Sequence, residues 1–558
     1  MPSSSLVRLR RYLGSAWGLW LLLGGYVALV EMRPGRLYFI LTYLLFQESV
    51  TQLLGYLLGL GLALAGLLAL WLNRARLLYS LGSVLWLVCL TVSLTYRLVI
   101  GYNFMYSDAV LAWNNRALAS VALQSYAGQL AGAVLGAGLV LAGLHWLRQR
   151  IAWRAAPVSA LLLPLAGAAI YTQIKWTTGT VDDFPALYRV PLTLLAAITD
   201  QLPQPRRALV PVAPAAPGVP HLFLVVDESI TASELTLQNP ALRTTPFLYS
   251  VRGQLHDFGV ASATINQSAG SNIALMSGTR LAELPDTRYR TFARTSVFQF
   301  AKRAGYTTYY IDAQLGGDVL QNFMSPEDLR YIDYVERPAA QQPQLAYHER
   351  DMVVAARLRD LARQPRKVFA YVVKAGAHWP YARTYPADSA FFRPVLSPRS
   401  LYKDQNRTLN TYHNAVRWTV DEFWRQLMVD IAPRDSAVVV YTSDHGQNLT
   451  ASGVAVSHAS VYETSPQEVA VPLWIWDAGK LVAFPPTAVP GPGRSHFDIF
   501  PTLLRLQGYA PAWVAQHYGP SLLDAPNQAP RQFMTGDLFG RGPHALQPFR
   551  WPLAQPVK

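Results

Sequence analysis

Five apolar segments in the first 175 residues limit what this chain can fold into more than any other feature. They run over residues 13–30, 53–72, 77–100, 123–147 and 157–171, the last of which contains Pro164. A transmembrane helix needs about 20 mainly apolar residues. The segments therefore predict an α-helical, multi-pass membrane domain with about five spans over residues 1–175.

Charged residues are sparse and unevenly distributed. Only 15% of the residues are charged, whereas soluble domains have about 25%. Of the net charge of +14, residues 1–175 contribute +10, because they hold 13 Lys and Arg residues and three acidic ones. Basic residues between apolar segments are a signal of membrane topology and not of a nucleic-acid-binding face. No nucleic-acid partner is expected.

The arginines between the segments also predict the orientation. They cluster at residues 8–11, 74–76 and 148–154, which fall on one side of the membrane if there are five spans. The positive-inside rule makes that side cytoplasmic. Everything after residue 175 is then expected outside the cytoplasm.

The rest of the chain has a different character. Residues 176–220, which include a Pro- and Ala-rich stretch, are predicted to be a linker with a semi-rigid spacer. From residue 221, short apolar strands alternate with helix-length amphipathic stretches. That alternation is typical of an α/β domain with a largely parallel sheet. We expect this domain over residues 221–545, with a C-terminal tail at 546–558.

Two predicted strands end in residues that bind metals. One β-branched apolar run leads to Asp444 and His445, and the first strand of the domain leads to Asp227 and Glu228. Ligands bind where the carboxyl ends of parallel strands run out, and carboxylate with imidazole is a set that suits Zn²⁺. The alternative is that these acids cap the helices that follow. Asp444 and His445 by themselves leave both interpretations open.

A serine opens a predicted helix between these two strands. Ser268 follows a polar loop and begins a helix of small residues that contains Ser271 and ends at Gly278. A helix N-terminus favours an alkoxide or a bound phosphate, and a serine oxygen beside a metal could act as a nucleophile. An isolated serine in this position is more often a helix cap.

Taken in order, these motifs resemble the alkaline phosphatase superfamily, and most closely the membrane-bound phosphoethanolamine transferases that modify lipid A. The resemblance rests on Ala263-Thr264 with Ser268 four residues later, His378-Trp-Pro, Ser443-Asp444-His445-Gly446, His458 and Val471-Pro472. The distance from Thr264 and the glycine ten residues later, Gly278, both select Ser268 over Ser271 as the nucleophile.

The resemblance implies a sulfatase-like α/β domain and roles for individual residues. The ligands of one zinc ion would be Glu228, Ser268, Asp444 and His445, and the groups near the phosphate would be His378 and His458. These histidines would bind the substrate or act as acid and base. A second metal is left open.

The implied activity is transfer of phosphoethanolamine from phosphatidylethanolamine, through a covalent phospho-Ser268 intermediate, to lipid A or another envelope glycan or lipid. The site would face the periplasm at a bacterial inner membrane and modify lipopolysaccharide. A phosphoglycerol transferase or phosphodiesterase of the same superfamily is one alternative. A non-catalytic, glycan-binding membrane subunit is an alternative of another class.

Some residues depart from the family's pattern. The nucleophile would be serine where the family has threonine, the single Cys89 excludes the family's disulfides, and His413 stands where the family has aspartate. These departures bear on the donor headgroup and the acceptor, whereas the metal chemistry survives them. His496 lies in a further superfamily-like segment and is expected to be structural.

Overall fold

The computed structural model divides the chain into two compact units, Met1–Leu202 and Pro203–Lys558. The structure describes residues 16–32, 41, 50–99, 103–104, 109, 123, 126–151, 153–176, 184–199, 202–314, 320–396, 404–429, 431, 435–449, 458–459, 464–484, 493–526, 530–540 and 544–551. Each unit is treated separately below.

The N-terminal unit is helical. Its helices are α1 (Ala16–Tyr26, continued by a π-helical turn at Val27–Glu31), α2 (Val50–Trp71), α3 (Arg76–Val99), α4 (Ala127–Arg150), α5 (Leu162–Trp176) and α6 (Ala186–Thr199). Among the described residues, three helices are long and apolar enough to cross a membrane, at Leu53–Trp71, Arg76–Val99 and Ala127–Arg150. The first and last predicted spans form shorter apolar helices, Gly18–Glu31 and Pro157–Thr172.

The predicted linker 176–220 is more structured than expected. Its first half contains α6, whose Tyr188 and Val190 are buried in the apolar core of the N-terminal unit. This apolar helix is too short to be recognised from the sequence as a span. The second half of the predicted linker belongs to the C-terminal unit, in which Arg207 is buried and paired with Asp328. The Pro- and Ala-rich stretch is therefore held by that unit and is not a free spacer.

The C-terminal unit is organised around a seven-stranded sheet. Its strands are β1 (His221–Asp227), β2 (Leu255–Ser262), β3 (Thr307–Asp312), β4 (Tyr334–Glu336), β5 (Val368–Val373), β6 (Ala437–Ser443) and β7 (Ala470–Asp477). They lie in the order β2-β7-β6-β1-β5-β3-β4, and β7 alone runs antiparallel to its neighbours. The predicted α/β domain with a largely parallel sheet is confirmed.

Helices cover both faces of this sheet. They are α7 (Pro246–Ser250), α8 (Ser268–Ser277), α9 (Arg290–Ala293), α10 (Val297–Arg303), α11 (Pro326–Leu329), α12 (Pro338–Gln341), α13 (Arg350–Ala362), α14 (Gln405–Val416), α15 (Phe423–Val429), α16 (Ile499–Leu506) and α17 (Pro511–Tyr518). On one face, Leu358 and Trp424 share a buried cluster with Phe223 of β1. On the other, the ring centres of Phe298 and Phe369 are 5.7 Å apart. β1, β5 and β6 are consequently buried along their whole length.

A smaller antiparallel pair consists of β8 (Gln532–Gly536) and β9 (His544–Pro548). The Met534 N–H donates to Thr264 O at 2.9 Å, so β8 supports the loop before α8. β9 crosses the predicted boundary at residue 545. The first residues of the predicted tail 546–558 therefore belong to the folded unit.

Parallel pairing brings the ends of β1 and β6 side by side. Asp227 is in register with Ser443, and the Asp444 N–H donates to Asp227 O at 2.9 Å. Glu228 and Asp444, the next residues, leave the sheet together at its carboxyl edge. This is the edge at which ligands bind in open α/β sheets.

Candidate metal and phosphate-binding site

Three potential metal ligands converge at this edge of the sheet. One ligand atom each from Glu228, Asp444 and His445 lies within 4.8 Å of the others, and all three residues are buried. His445 Nε2 is 3.5 Å from Glu228 Oε1 and 3.8 Å from Asp444 Oδ2. These are three of the four residues that the sequence resemblance implies as zinc ligands.

Backbone donors orient the carboxylate of Asp444. Its Oδ1 accepts two backbone hydrogen bonds, from the N–H of Ser229 at 3.0 Å and from the N–H of His445 at 2.7 Å. Its Oδ2 is buried and has no hydrogen-bond partner among the described residues. A buried carboxylate oxygen without a donor is costly, and this one faces the other ligand atoms. It is therefore available to a cation.

The imidazole of His445 is held in one tautomer. Its Nδ1 lies 2.8 Å from Gly446 O, and because a carbonyl can only accept, Nδ1 carries the proton. In the neutral ring, Nε2 then carries the lone pair that a metal ion would accept. Metal-binding histidines are commonly fixed in this way, with the second nitrogen donating to a carbonyl.

Charge is concentrated at these three residues. Burial raises the pKa of Asp444, and the charge of Glu228 adds to this effect, giving about 8. Burial also acts on Glu228, but hydrogen bonding to His445 and its charge outweigh it and hold the Glu228 pKa well below its usual value. Burial lowers the pKa of His445, but the two carboxylates overcome it and raise this pKa to about 9. The two carboxylates thus share a single positively charged partner, the imidazole of His445.

Ser268 lies at the opening of α8, directly against this group. Its Oγ is 3.2 Å from Glu228 Oε2 and 3.3 Å from His445 Nε2. Two hydrogen bonds hold the first turn of α8 in place. Asn272 Nδ2 donates to Ser268 O at 3.0 Å, and Tyr371 OH of β5 donates to Asn272 Oδ1 at 2.8 Å. The hydroxyl is half-buried and faces the candidate ligands.

Ser271, the alternative nucleophile, has a different environment. It is fully buried, and its Oγ donates to Ile265 O at 2.9 Å. That bond stabilises the loop before α8 and directs the hydroxyl away from Glu228. The two serines therefore differ in what their oxygens can reach, which favours Ser268 for attack on a substrate.

The two histidines expected near the phosphate are placed differently. The ring of His458 stacks on His445, with centres 4.2 Å apart and planes at 20°, and its buried Nδ1 has no hydrogen-bond partner among the residues that the structure describes. His378 is exposed, and its Nδ1 donates to Trp379 O at 2.6 Å. His378 Nε2 is left as the nitrogen that can meet a ligand. Both roles remain predictions.

Only one of the two adjacent acids at the carboxyl end of β1 faces the site. Asp227 is turned into the core, where Lys374 Nζ donates to its Oδ2 and Tyr441 OH donates at 2.6 Å. Its Oδ1 accepts the Glu228 N–H at 2.9 Å. Asp227 therefore holds the backbone of Glu228 in place. Lys374, which has no local sequence signal, was not identified from the sequence.

Two further residues contribute to the site. Gln314, missed by the sequence analysis, donates from Nε2 to Glu228 Oε2 at 2.8 Å; its position just after β3 is the signal that could have revealed it. His496 accepts the Thr264 N–H at 3.2 Å and donates from Nε2 to Ser443 O at 2.9 Å. It thereby links the loop before α8 to β6.

This donor set fits a zinc ion. Two carboxylates, one imidazole nitrogen and a serine oxygen are ligands that Zn²⁺ accepts in a four-coordinate site. The buried Asp444 Oδ2, which has no hydrogen-bond partner in the described part of the chain, agrees with this. A divalent cation would also satisfy the two carboxylates at once.

Comparison with known proteins identifies the family. The family model described as Sulfatase matches residues 220–509, which is over half of the chain. Phosphatidylethanolamine transferase Mcr-2 of Escherichia coli is 35% identical over 137 residues, a match that spans 24% of this chain and 24% of that relative.

Solved structures agree in fold. The integral membrane protein lipooligosaccharide phosphoethanolamine transferase A (EptA) of Neisseria meningitidis has a TM-score of 0.60 and 18% identity, covering 89% of this chain and 96% of that one. The C-terminal periplasmic domain of EcEptC from Escherichia coli, in a complex with Zn, has a TM-score of 0.50 and 19% identity, covering 61% and 97%. The chain therefore belongs to the sulfatase family, a family of enzymes, and its expected resemblance to phosphoethanolamine transferases is confirmed.

Proposed function

We propose that this protein transfers phosphoethanolamine from phosphatidylethanolamine to lipid A or another lipid or glycan of the cell envelope. The observation that carries this proposal is the position of Ser268, whose Oγ lies 3.2 Å from Glu228 Oε2 and 3.3 Å from His445 Nε2. The catalytic unit would face the periplasm and the helical unit would hold it at a bacterial inner membrane. The names of the relatives support the choice of headgroup.

In the first step, Ser268 Oγ attacks the phosphorus of the donor. The Oγ–P bond forms, the bond from phosphorus to the diacylglycerol oxygen breaks, and phosphoethanolamine remains on Ser268. Such covalent catalysis needs a base close to the nucleophile. Glu228 Oε2 accepts the Ser268 hydroxyl hydrogen and orients it, and because the Glu228 pKa is held well below its usual value, the proton passes to His378 or His458. Diacylglycerol leaves after gaining a proton from His378 or His458.

In the second step, an oxygen of the acceptor attacks the same phosphorus. Its bond to phosphorus forms and its proton passes to His378 or His458, while the Oγ–P bond breaks and Ser268 Oγ receives that proton. His378 is suited to act on the acceptor, because its exposed ring can be reached by a bulky lipid or glycan. The ring of His458 stacks on that of His445, next to the candidate ligands, and is suited to the phosphate.

Glu228, Asp444, His445 and Ser268 are the residues that would hold Zn²⁺. When bound, zinc would favour the ionised form of the Ser268 hydroxyl and offset negative charge on the phosphate.

Intact-mass measurement after incubation with phosphatidylethanolamine and zinc tests the proposal. The wild-type protein should gain a mass equal to one phosphoethanolamine group, Ser268→Ala should gain none, and Ser271→Ala should still gain it. Ser271→Ala is a matched control, because it removes a hydroxyl from the same helix.

Other outcomes would contradict parts of the proposal. Loss of the increment in Ser271→Ala alone would make Ser271 the nucleophile. Zinc binding without an increment, together with release of diacylglycerol, would indicate a phosphodiesterase. An increment obtained with phosphatidylglycerol but not with phosphatidylethanolamine would indicate a phosphoglycerol transferase. Absence of both zinc and increment would favour a non-catalytic binding subunit.

A further inference from the structure

Two arginines lie over the same tyrosine ring next to the candidate site. The Cζ atoms of Arg383 and Arg350 are 4.3 Å and 4.8 Å from the ring centre of Tyr347. The Tyr347 hydroxyl donates to Ala375 O at 3.0 Å, which anchors the ring at the end of β5. Because a guanidinium is attracted to an aromatic face, both positive charges are held at this point.

Contacts connect this arginine pair to the proposed catalytic groups. Arg350 Nη1 donates to Gln314 O at 2.7 Å, and Gln314 is the residue whose side chain donates to Glu228. Arg383 Nη2 and His378 Nδ1 both donate to the carbonyl of the residue after His378, at 3.4 Å and 2.6 Å. Arg350 is thus bonded to the residue that holds Glu228, and Arg383 lies next to His378.

Within the described part of the chain, neither guanidinium forms an ion pair with a carboxylate, and each donates hydrogen bonds to backbone carbonyls alone. The Nε of Arg350 is buried and has no hydrogen-bond partner there. By contrast, the buried Arg207 of the same unit is paired with Asp328.

The two like charges also affect each other. Burial lowers the pKa of Arg350, and the charge of Arg383 contributes to the lowering. A phosphate group would relieve this repulsion and could accept hydrogen bonds from both guanidiniums, in the bidentate geometry that arginine makes with phosphate. Asp351 and Asp312 offset part of this positive charge without forming an ion pair with Arg350 in the described part of the chain, whereas a bound phosphate would contact it directly.

We propose that Arg350 and Arg383 form an anion subsite that binds a phosphate group of a substrate beside the metal site. The inference rests on the proposed function, since both substrates of that reaction can carry phosphate. The phosphate is either that of the donor lipid or one borne by the acceptor. Arg383, which is exposed, is the outer half of the subsite and Arg350 the inner half.

The principal variant is Arg383→Gln, because this side chain is exposed and its 3.4 Å hydrogen bond contributes little to folding. Arg383→Lys keeps the charge. The matched control is Arg252→Gln, since Arg252 is also exposed and its Cζ lies 4.2 Å from the ring centre of Tyr249. Thermal unfolding of each full-length variant in detergent checks that it is folded.

Binding of inorganic phosphate to the full chain, with zinc removed by a chelator and Ser268→Ala as background, tests the subsite without catalysis. Phosphorus NMR titration should give a dissociation constant about tenfold higher for Arg383→Gln, a typical loss for a hydrogen bond to a charged group. Arg383→Lys should recover most of the affinity, and Arg252→Gln should match the parent. Equal affinity in Arg383→Gln and the parent would overturn the proposal.

Single-turnover kinetics then identify the source of the phosphate. If Arg383→Gln slows the loading of Ser268 from phosphatidylethanolamine, the subsite binds the donor. If loading is unchanged and only discharge to a phosphorylated acceptor slows, it binds the acceptor. Unchanged rates of both steps would contradict a role in substrate binding. A wild-type protein that never loads Ser268 would refute the proposed function, while phosphate titration would still decide whether the subsite exists.

Discussion

Gln314 Nε2 donates to Glu228 Oε2 at 2.8 Å and to Lys374 O at 3.0 Å. The same carboxylate oxygen accepts the Ser268 hydroxyl at 3.2 Å. Gln314 follows β3, so a third strand end contributes to the site beside those of β1 and β6. Its amide orients Glu228 without being a candidate ligand itself.

Replacement of Gln314 by leucine should weaken zinc binding. Groups that orient a metal ligand typically contribute about 10- to 100-fold to affinity, and the expected loss for Gln314→Leu is in this range. Competition with a chromophoric chelator measures it. Gln364→Leu, before the opposite end of β5, is the control and should bind zinc as the wild type does. Equal affinity in Gln314→Leu would contradict the orienting role.

A glycine is required at position 376 because the backbone there passes close to Asp227 and Glu228. Gly376 has φ +53°, and an added Cβ would lie 2.6 Å from both Asp227 Oδ1 and Glu228 O. Gly376→Ala should therefore destabilise the protein by about 2–4 kcal/mol, through backbone strain and overpacking together, and should also weaken zinc binding.

Gly305→Ala is the matched control for this substitution. Gly305 has φ +82° with nothing within 4 Å of an added Cβ, so it isolates the backbone penalty of about 1 kcal/mol. Chemical denaturation of both variants in the same detergent gives the comparison. Equal destabilisation by the two alanines would show that the contact with Glu228 is unimportant.

The buried Lys374–Asp227 pair should have a large effect on stability when broken. Both side chains have no exposed surface, so Lys374→Met leaves an uncompensated buried carboxylate, at a cost of about 3–5 kcal/mol. The exposed pair of Lys302 and Asp333, 2.5 Å apart, is the control, because breaking it with Lys302→Met should cost less than about 1 kcal/mol.

Adding Asp227→Asn to Lys374→Met should recover part of this stability, since the asparagine carries no charge. Free energies of unfolding from denaturant titration decide between the outcomes. A double variant less stable than Lys374→Met alone would contradict an origin in the unpaired carboxylate.

Stability should depend on pH through Asp421. Burial raises the pKa of this carboxyl from 3.8 to about 6, although it accepts the N–H groups of Leu248 and Phe247 at 2.9 and 3.1 Å. The folded state thus binds the proton more tightly than the unfolded state. Its contribution is complete below about pH 4 and is lost as pH rises through 6, by up to about 3 kcal/mol.

Asp421→Asn should remove this dependence. The stability of the wild type relative to Asp421→Asn should fall between pH 4 and 6 and then level off, as measured by thermal or denaturant unfolding at each pH. Parallel curves for the two proteins across this range would exclude a raised pKa at Asp421.

The local pattern of apolar and polar residues was sufficient to predict the architecture of the C-terminal unit. Uninterrupted apolar runs such as 437–441 predict buried strands, and their alternation with amphipathic helices predicts a parallel sheet. The same pattern brings Glu228 and Asp444 to one edge, because parallel strands end on the same side. By contrast, α6 and the packing of residues 203–220 depend on contacts with other segments, and the sequence suggested a linker there.

By itself, the sequence determined four of the strands, β1, β3, β5 and β6. It also determined the resemblance to phosphoethanolamine transferases and the set of acids, histidines and serines from which a site could be built. Only the tertiary structure decided that Glu228 faces the site while Asp227 faces Lys374, and that Ser268 is directed to Glu228 while Ser271 is bonded to Ile265 O. Neighbouring residues of similar chemistry differ in orientation because one of each pair forms hydrogen bonds with residues elsewhere in the fold, which leaves the other to face the site. The pairing of Arg350 with Arg383 over Tyr347 has the same origin, since no local pattern records which side chains meet across a fold.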